Sequence, residues 1–170
     1  SWWKNNITQA SFFAYNYEDD WMAGYDHGKE SGTCVVGSHY TAPGKKFWTW
    51  GNGPEGDAWD KTLTEKDGHE LELMAGGFSD NEPDYSWIQP YETKKVTHYF
   101  YPVRNMMGGV KNANKEAAVN LEIKDNKSAV IAYNTTSLRK NAKVNLKIGD
   151  KLIYEETIEI SPFKPYNKKL

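Results

Sequence analysis

"KKFWTWGNGPEGDAWDK", Lys45–Lys61, joins a strand-like run to three glycines spaced as GxGxxG. Whether Gly51, Gly53 and Gly56 close a phosphate-binding turn or a β loop separates a nucleotide-binding α/β chain from an all-β one. A dinucleotide fingerprint needs the turn to open a helix within repeating β-α-β units, so that amides at the helix N-terminus face a pyrophosphate. Pro54 sits inside the loop, and the rest of the chain shows no alternating strand and helix periods. The stretch therefore reads as a strand running into a glycine-rich β loop.

Similar punctuation recurs on both sides. From Trp2 to about Val110, short apolar pieces alternate with turn signals such as "APGK", "EKDG" and "SDNEPD". After "GGVKNANKEA" tryptophan disappears, and "AVNLEIKD", "SAVIAYNTT", "KVNLKIGDKLIYEE" and "TIEISP" read as alternating strands. Val144, Leu146 and Ile148 fall on one face, and Gly149–Asp150 makes a two-residue hairpin turn. No amphipathic helix longer than about three turns is predicted. The expected fold class is all-β, an antiparallel β-sandwich over residues 1–114 followed by a small, immunoglobulin-like antiparallel β module over 115–170.

Charge and composition narrow the partners. With 21 basic and 23 acidic residues among 170, the net charge of −2 offers no polycationic surface for nucleic acid. No apolar run approaches the roughly 20 residues that span a bilayer. The single cysteine, Cys34, has no internal disulfide partner and reads as a small buried strand residue. Without CxxC or HxxxH spacing, neither a metal nor a cofactor is expected. The opening "SWWKNN" reads as a processing boundary, with any export signal upstream and a periplasmic or extracellular setting favoured. Seven Trp, eleven Tyr and six Phe stand out, a density that must fill a core or line a binding face.

Period-two geometry puts Lys46, Trp48 and Trp50 on one face of their strand, with Phe47 and Thr49 on the other. Such indoles are either packed core or a platform for the apolar face of a sugar ring, whose hydroxyl rim takes carboxylates and amides. Those groups follow nearby. On a strand from His69 to Met74, Glu70 and Glu72 share a face about 6.6 Å apart, a pairing suited to acid–base work or to simple solvation. Asp80, Asn81, Glu82 and Asp84 fill a turn-rich loop, and Trp87, Gln89 and Glu92 come after it. Asp26 beside His27 can orient that imidazole as an acid or base, although neighbouring strand residues point to opposite faces; His39 in "GSHY" is a similar candidate, whereas His69 and His98 read as ordinary strand residues. No GxSxG motif supports a serine nucleophile.

The run "WMAGYDHGKESGT…PGKKFWTWGNGPEGDAWDK…ELMAGGFSDNEPDYSWIQPYE", with "GGVKNAN" after it, resembles the DUF5107 domain, a galactose-mutarotase-like family of bacterial proteins that often continue into tetratricopeptide repeats. The resemblance covers about Trp2 to Asn114, and "LKIGDKLIYEETIEISPFKPY" is similar to the β module that follows it. It implies a β-supersandwich of antiparallel sheets with a concave face that handles carbohydrate. A complete supersandwich is longer, so the chain resembles its C-terminal portion, with further domains of a parent chain on either side as possible partners. Active mutarotases use a histidine acid and a glutamate base; the chemistry of the residues here offers His27 or His39 as the acid and Glu72 as the base. The expected ligand is a carbohydrate, stacked on Trp48, Trp50 and Trp87 and hydrogen-bonded by Asp26, Gln89 and Glu92. The open alternatives are an epimerase or hydrolase-associated catalyst and a structural assembly module.

Overall fold

The structure is a computed structural model that describes residues 2–77, 86–125 and 127–170. In chain order come a 3-10 turn, η1 (Trp3–Asn5), strands β1 (Ala10–Phe13), β2 (Trp21–Asp26), β3 (Ser31–Val36) and β4 (Gly44–Thr49), a helix, α1 (Pro54–Leu63), and β5 (Leu71–Gly76). Then follow β6 (Tyr99–Arg104), β7 (Asn112–Ala113), β8 (Ala117–Lys124), β9 (Ser128–Thr135), β10 (Arg139–Ile148), β11 (Lys151–Ile160) and β12 (Tyr166–Lys169). The described strand registers are antiparallel, and the chain is all-β apart from η1 and α1. No helix among the described residues is long and apolar enough to cross a membrane. Two compact units form, Ser1–Met22 with Gly37–His98, and Ala23–Val36 with Tyr99–Leu170.

In the first unit β4 lies between β1 and β5. The register sets Phe12, Phe47 and Leu73 in one row and Ala10, Thr49 and Leu71 in another, on one face of the sheet. Phe12 and Phe47 stack with ring centroids 5.4 Å apart. Lys45 shares this face and is fully buried, its Nζ donating to the Ala42 carbonyl at 3.2 Å. Burial pushes its pKa down, while Asp20 and Asp19 oppose the shift.

The glycine-rich stretch corrects the expected β loop, because it opens a helix. Gly53 is the N-cap and Pro54 follows at the first helical position, where its fixed φ fits and its missing N–H costs nothing. Glu55 and Asp57 occupy the first turn, favourably placed against the positive end of the helix dipole. The amides of Asn52 and Gly53 donate to the carbonyls of Asn6 and Ile7, each at 2.9 Å. Committed amides and two nearby carboxylates leave a poor seat for phosphate, so the spacing serves packing. Gly51 has φ +85°, and a Cβ on Gly56 would lie 2.1 Å from the Gly51 carbonyl oxygen. A second correction concerns β5, which starts at Leu71 rather than His69. His69 precedes the strand, with Nε2 3.2 Å from Asp57 Oδ1 and its ring against Trp3 at 4.8 Å.

The second unit holds the order β2-β3-β6, the four-stranded order β12-β9-β8-β7, and a β10-β11 ribbon. Cys34 is fully buried on β3, as expected of a free cysteine in a strand. Asn120 and Asn134 are buried too, donating to the carbonyls of Met106 and Arg104, each at 2.8 Å. The ribbon turns at Gly149, φ +56°, and Asp150, but β11 then runs unbroken through Thr157 where the sequence suggested two strands. The ribbon's register shifts between Arg139 and Ala142 and again between Leu146 and Lys147, as an extra residue in one strand produces. Glu156 ties β11 to β12 by accepting hydrogen bonds from Tyr154, from Tyr166 at 2.8 Å and from Lys168 at 3.1 Å. These donors, the Tyr154 hydroxyl first, hold its carboxyl down at about 2.

Helix propensity alone would make Gly56→Ala stabilising by about 1 kcal/mol. The clash with the Gly51 carbonyl reverses the sign, so the variant is expected to lose about 1–3 kcal/mol. Urea unfolding decides it, and a variant more stable than the parent would contradict the close packing of α1 on the end of β4.

Candidate functional site

The face of the β1-β4-β5 sheet opposite Phe47 carries Lys46, Trp48 and Glu72 among the residues that the sequence singled out. Residues directly opposed in antiparallel strands point the same way, with Cβ atoms about 5 Å apart. Ser11, Trp48 and Glu72 therefore form one row, and Phe13, Lys46 and Met74 the next. Trp50 continues the face beyond β4, meeting Trp48 edge-on with centroids 4.5 Å apart and planes at 82°. Trp59 from α1 stacks on Trp50 at 4.3 Å and 14°. Trp48 and Trp50 are half-buried, and Trp59 is 36% exposed. The indoles pack on one another, and part of their surface stays open beside a hydroxyl and a carboxylate.

Trp59 was missed because its segment read as loop, and a loop tryptophan has no register that would bring it to Trp50. Sequence reasoning also missed Asp20. Its Oδ1 accepts from the His39 backbone N–H at 2.8 Å and lies 2.7 Å from His39 Nδ1. These contacts, the backbone one first, hold the Asp20 carboxyl below its ordinary range. The ring of Tyr40 lies 3.9 Å from that of His39. A carboxylate that orients an imidazole is the usual support for an acid or base. Nineteen residues separate the partners, and no local spacing announces such a pair. His39 precedes the Gly44 end of β4, whereas Trp48 and its neighbour Glu72 lie about 13 Å along the strand from Gly44.

The remaining candidates are placed more simply. Asp26 and His27 belong to the second unit. Asp26 Oδ1 accepts from the amides of Gly28 and Lys29 at 2.7 and 3.0 Å, which fixes the turn after β2 and lowers its pKa, the Lys29 amide contributing most. His27 meets Tyr25 edge-on at 5.3 Å. In the first unit Trp87 is 82% exposed outside regular structure. Gln89 and Glu92 are brought together: the Gln89 amide donates to Glu92 Oε2 at 2.8 Å, and the Glu92 amide to the Gln89 carbonyl at 2.9 Å. Asp80, Asn81, Glu82 and Asp84 lie outside the described residues. No group of three His, Cys, Asp or Glu among the described residues could hold a metal ion.

Because the folded state depresses the Asp20 pKa, its contribution to stability is complete above the ordinary carboxylate range, near pH 4, and is lost as pH falls through the folded value. Asp20→Asn should therefore lower stability at pH 7 and flatten the loss of stability below about pH 4. Urea midpoints across that range test this, and an unchanged pH slope would contradict it.

Two family profiles match the chain. One described as a domain of unknown function, DUF5107, covers residues 1–103, and one described as YphG-like protein, second domain, covers residues 112–170. No solved structure matches.

Proposed function

This chain belongs to the DUF5107 family, and from that premise we propose that it binds carbohydrate on the Trp48 face of its first sheet. The observation that carries the reading is the row Ser11–Trp48–Glu72 beside the Trp50–Trp59 stack. A pyranose ring has one face of C–H groups and a rim of hydroxyls. The indoles suit the first, and the Ser11 hydroxyl and Glu72 carboxylate suit the second. Trp87 and the side-chain amide of Gln89 offer a further exposed contact on the same unit. A galactose-mutarotase-like arrangement for the matched region belongs to the same proposal. Further domains joined to this chain fit the profile over residues 112–170, which is named for a second domain.

The Asp20–His39 pair favours a second reading, catalysis at an anomeric carbon, with the imidazole as acid and Glu72 as base. It requires both groups to reach one sugar ring. Acceleration of anomer exchange in free aldoses, followed by NMR and abolished in Glu72→Gln, would establish it.

For the binding reading, Trp48→Ala should weaken affinity for a bound oligosaccharide by roughly thirtyfold, the ~2 kcal/mol typical of a central aromatic anchor. Calorimetric titration measures it, with circular dichroism as a control for folding. Unchanged affinity in a folded variant would remove Trp48 from the site.

A further inference from the structure

We propose that the Trp48 face selects acidic saccharides, with Lys46 taking the carboxylate of a uronic acid residue. This deepens the carbohydrate reading and rests on it. Lys46 precedes Trp48 by two residues on β4, so both side chains leave the same face about 6.6 Å apart. Its row holds only Phe13 and Met74, neither of which carries a charge. Among the described residues Lys46 makes no ion pair. Its ammonium lies 5.5 Å from the centroid of the Phe13 ring. A half-buried cation resting on an aromatic face keeps donors available for a ligand, and a carboxylate would replace the weaker ring contact with charge-assisted hydrogen bonds.

The chemistry of the ligand follows from the spacing. In a uronic acid the carboxylate sits on the ring carbon next to the ring oxygen, at the rim of the sugar. A ring stacked on Trp48 carries that group a few ångströms past the indole edge, within the sweep of a flexible four-carbon lysine stem anchored two residues away. Glu72 stands directly across from Trp48 in the Ser11 row, not in the Lys46 row. Glu72 and Lys46 are thus diagonal neighbours in adjacent rows, so one side of Trp48 accepts hydroxyl hydrogens while the next row attracts an anion. That asymmetry gives a stacked acidic ring one preferred orientation, and a neutral ring gains nothing from Lys46 beyond an ordinary hydroxyl contact. The chain's net charge of −2 supplies no general attraction for anions, so selectivity of this kind has to be local.

The test is calorimetric titration of the full chain with a galacturonic acid trimer and with the neutral galactose trimer of the same linkage. The acidic trimer is expected to bind at least tenfold tighter, and Lys46→Gln to remove that advantage while leaving neutral binding in place, as loss of a charged hydrogen bond implies. Lys46→Arg should retain most of the preference, and added salt should weaken only the acidic arm. Equal binding of both trimers, or an acidic preference that survives Lys46→Gln, overturns the proposal and leaves the stacking platform standing. Absence of binding by either trimer, and by a broader panel of neutral and acidic oligosaccharides, removes the carbohydrate reading itself.

Discussion

The register of β4 between β1 and β5 is the constraint on which the first unit depends. Pairing Trp48 with Ser11 on one side and with Glu72 on the other decides which groups share a surface. Side chains alternate with a period of two, so a slip by one residue would turn Trp48 and Lys46 over and bring Phe47 to their place. Lys45 and Thr49 would leave the buried side at the same time. The register is therefore specified from both faces: one removes Thr49 and the Lys45 stem from water, and the other gathers the indoles.

Helix α1 extends that surface. Its start is set by Pro54 and by glycines that let its first turn press against the end of β4. The contact between Asp57 and His69 holds the helix to the segment before β5, and the stack of Trp59 on Trp50 covers the outer part of the sheet. Aromatic stacking, a close backbone approach and a polar contact act on one ten-residue helix. None of them would be large alone. Their concentration at the end of β4 turns Trp48 of that strand and Trp50 just beyond it into a surface shared by three indoles.

Strand alternation was legible where one face is apolar: Val144, Leu146 and the Gly149–Asp150 turn announced the β10-β11 hairpin, and the ordinary preference of a free cysteine for the interior announced the burial of Cys34. The face of Lys46 and Trp48 was legible for the same reason. The helix was hidden because Pro54, Gly56 and the two glycines that precede them look like loop residues one at a time, and only the position of Pro54 directly after the Gly53 cap reveals a helix start. Asp20 with His39, and Asp57 with His69, were not legible, since each pair is made by tertiary proximity rather than by spacing. Asp26 illustrates the converse. Adjacency to His27 drew attention to it as an orienter of the imidazole, and what the structure adds is a bond made two and three residues on, where one of its oxygens holds the amides of a tight turn.

What unifies the first unit is an indole surface bordered by a hydroxyl, a carboxylate and an ammonium, all positioned by one strand register. The indole N–H resonances report on it directly, because each of the seven tryptophans gives its own signal in a nitrogen-edited NMR spectrum. On addition of an oligosaccharide the account predicts movement of the Trp48 and Trp59 signals, with Trp3, whose Nε1 is buried, left in place. Movement confined to tryptophans outside the Trp48–Trp50–Trp59 group, with those three unchanged at saturating ligand, would contradict it.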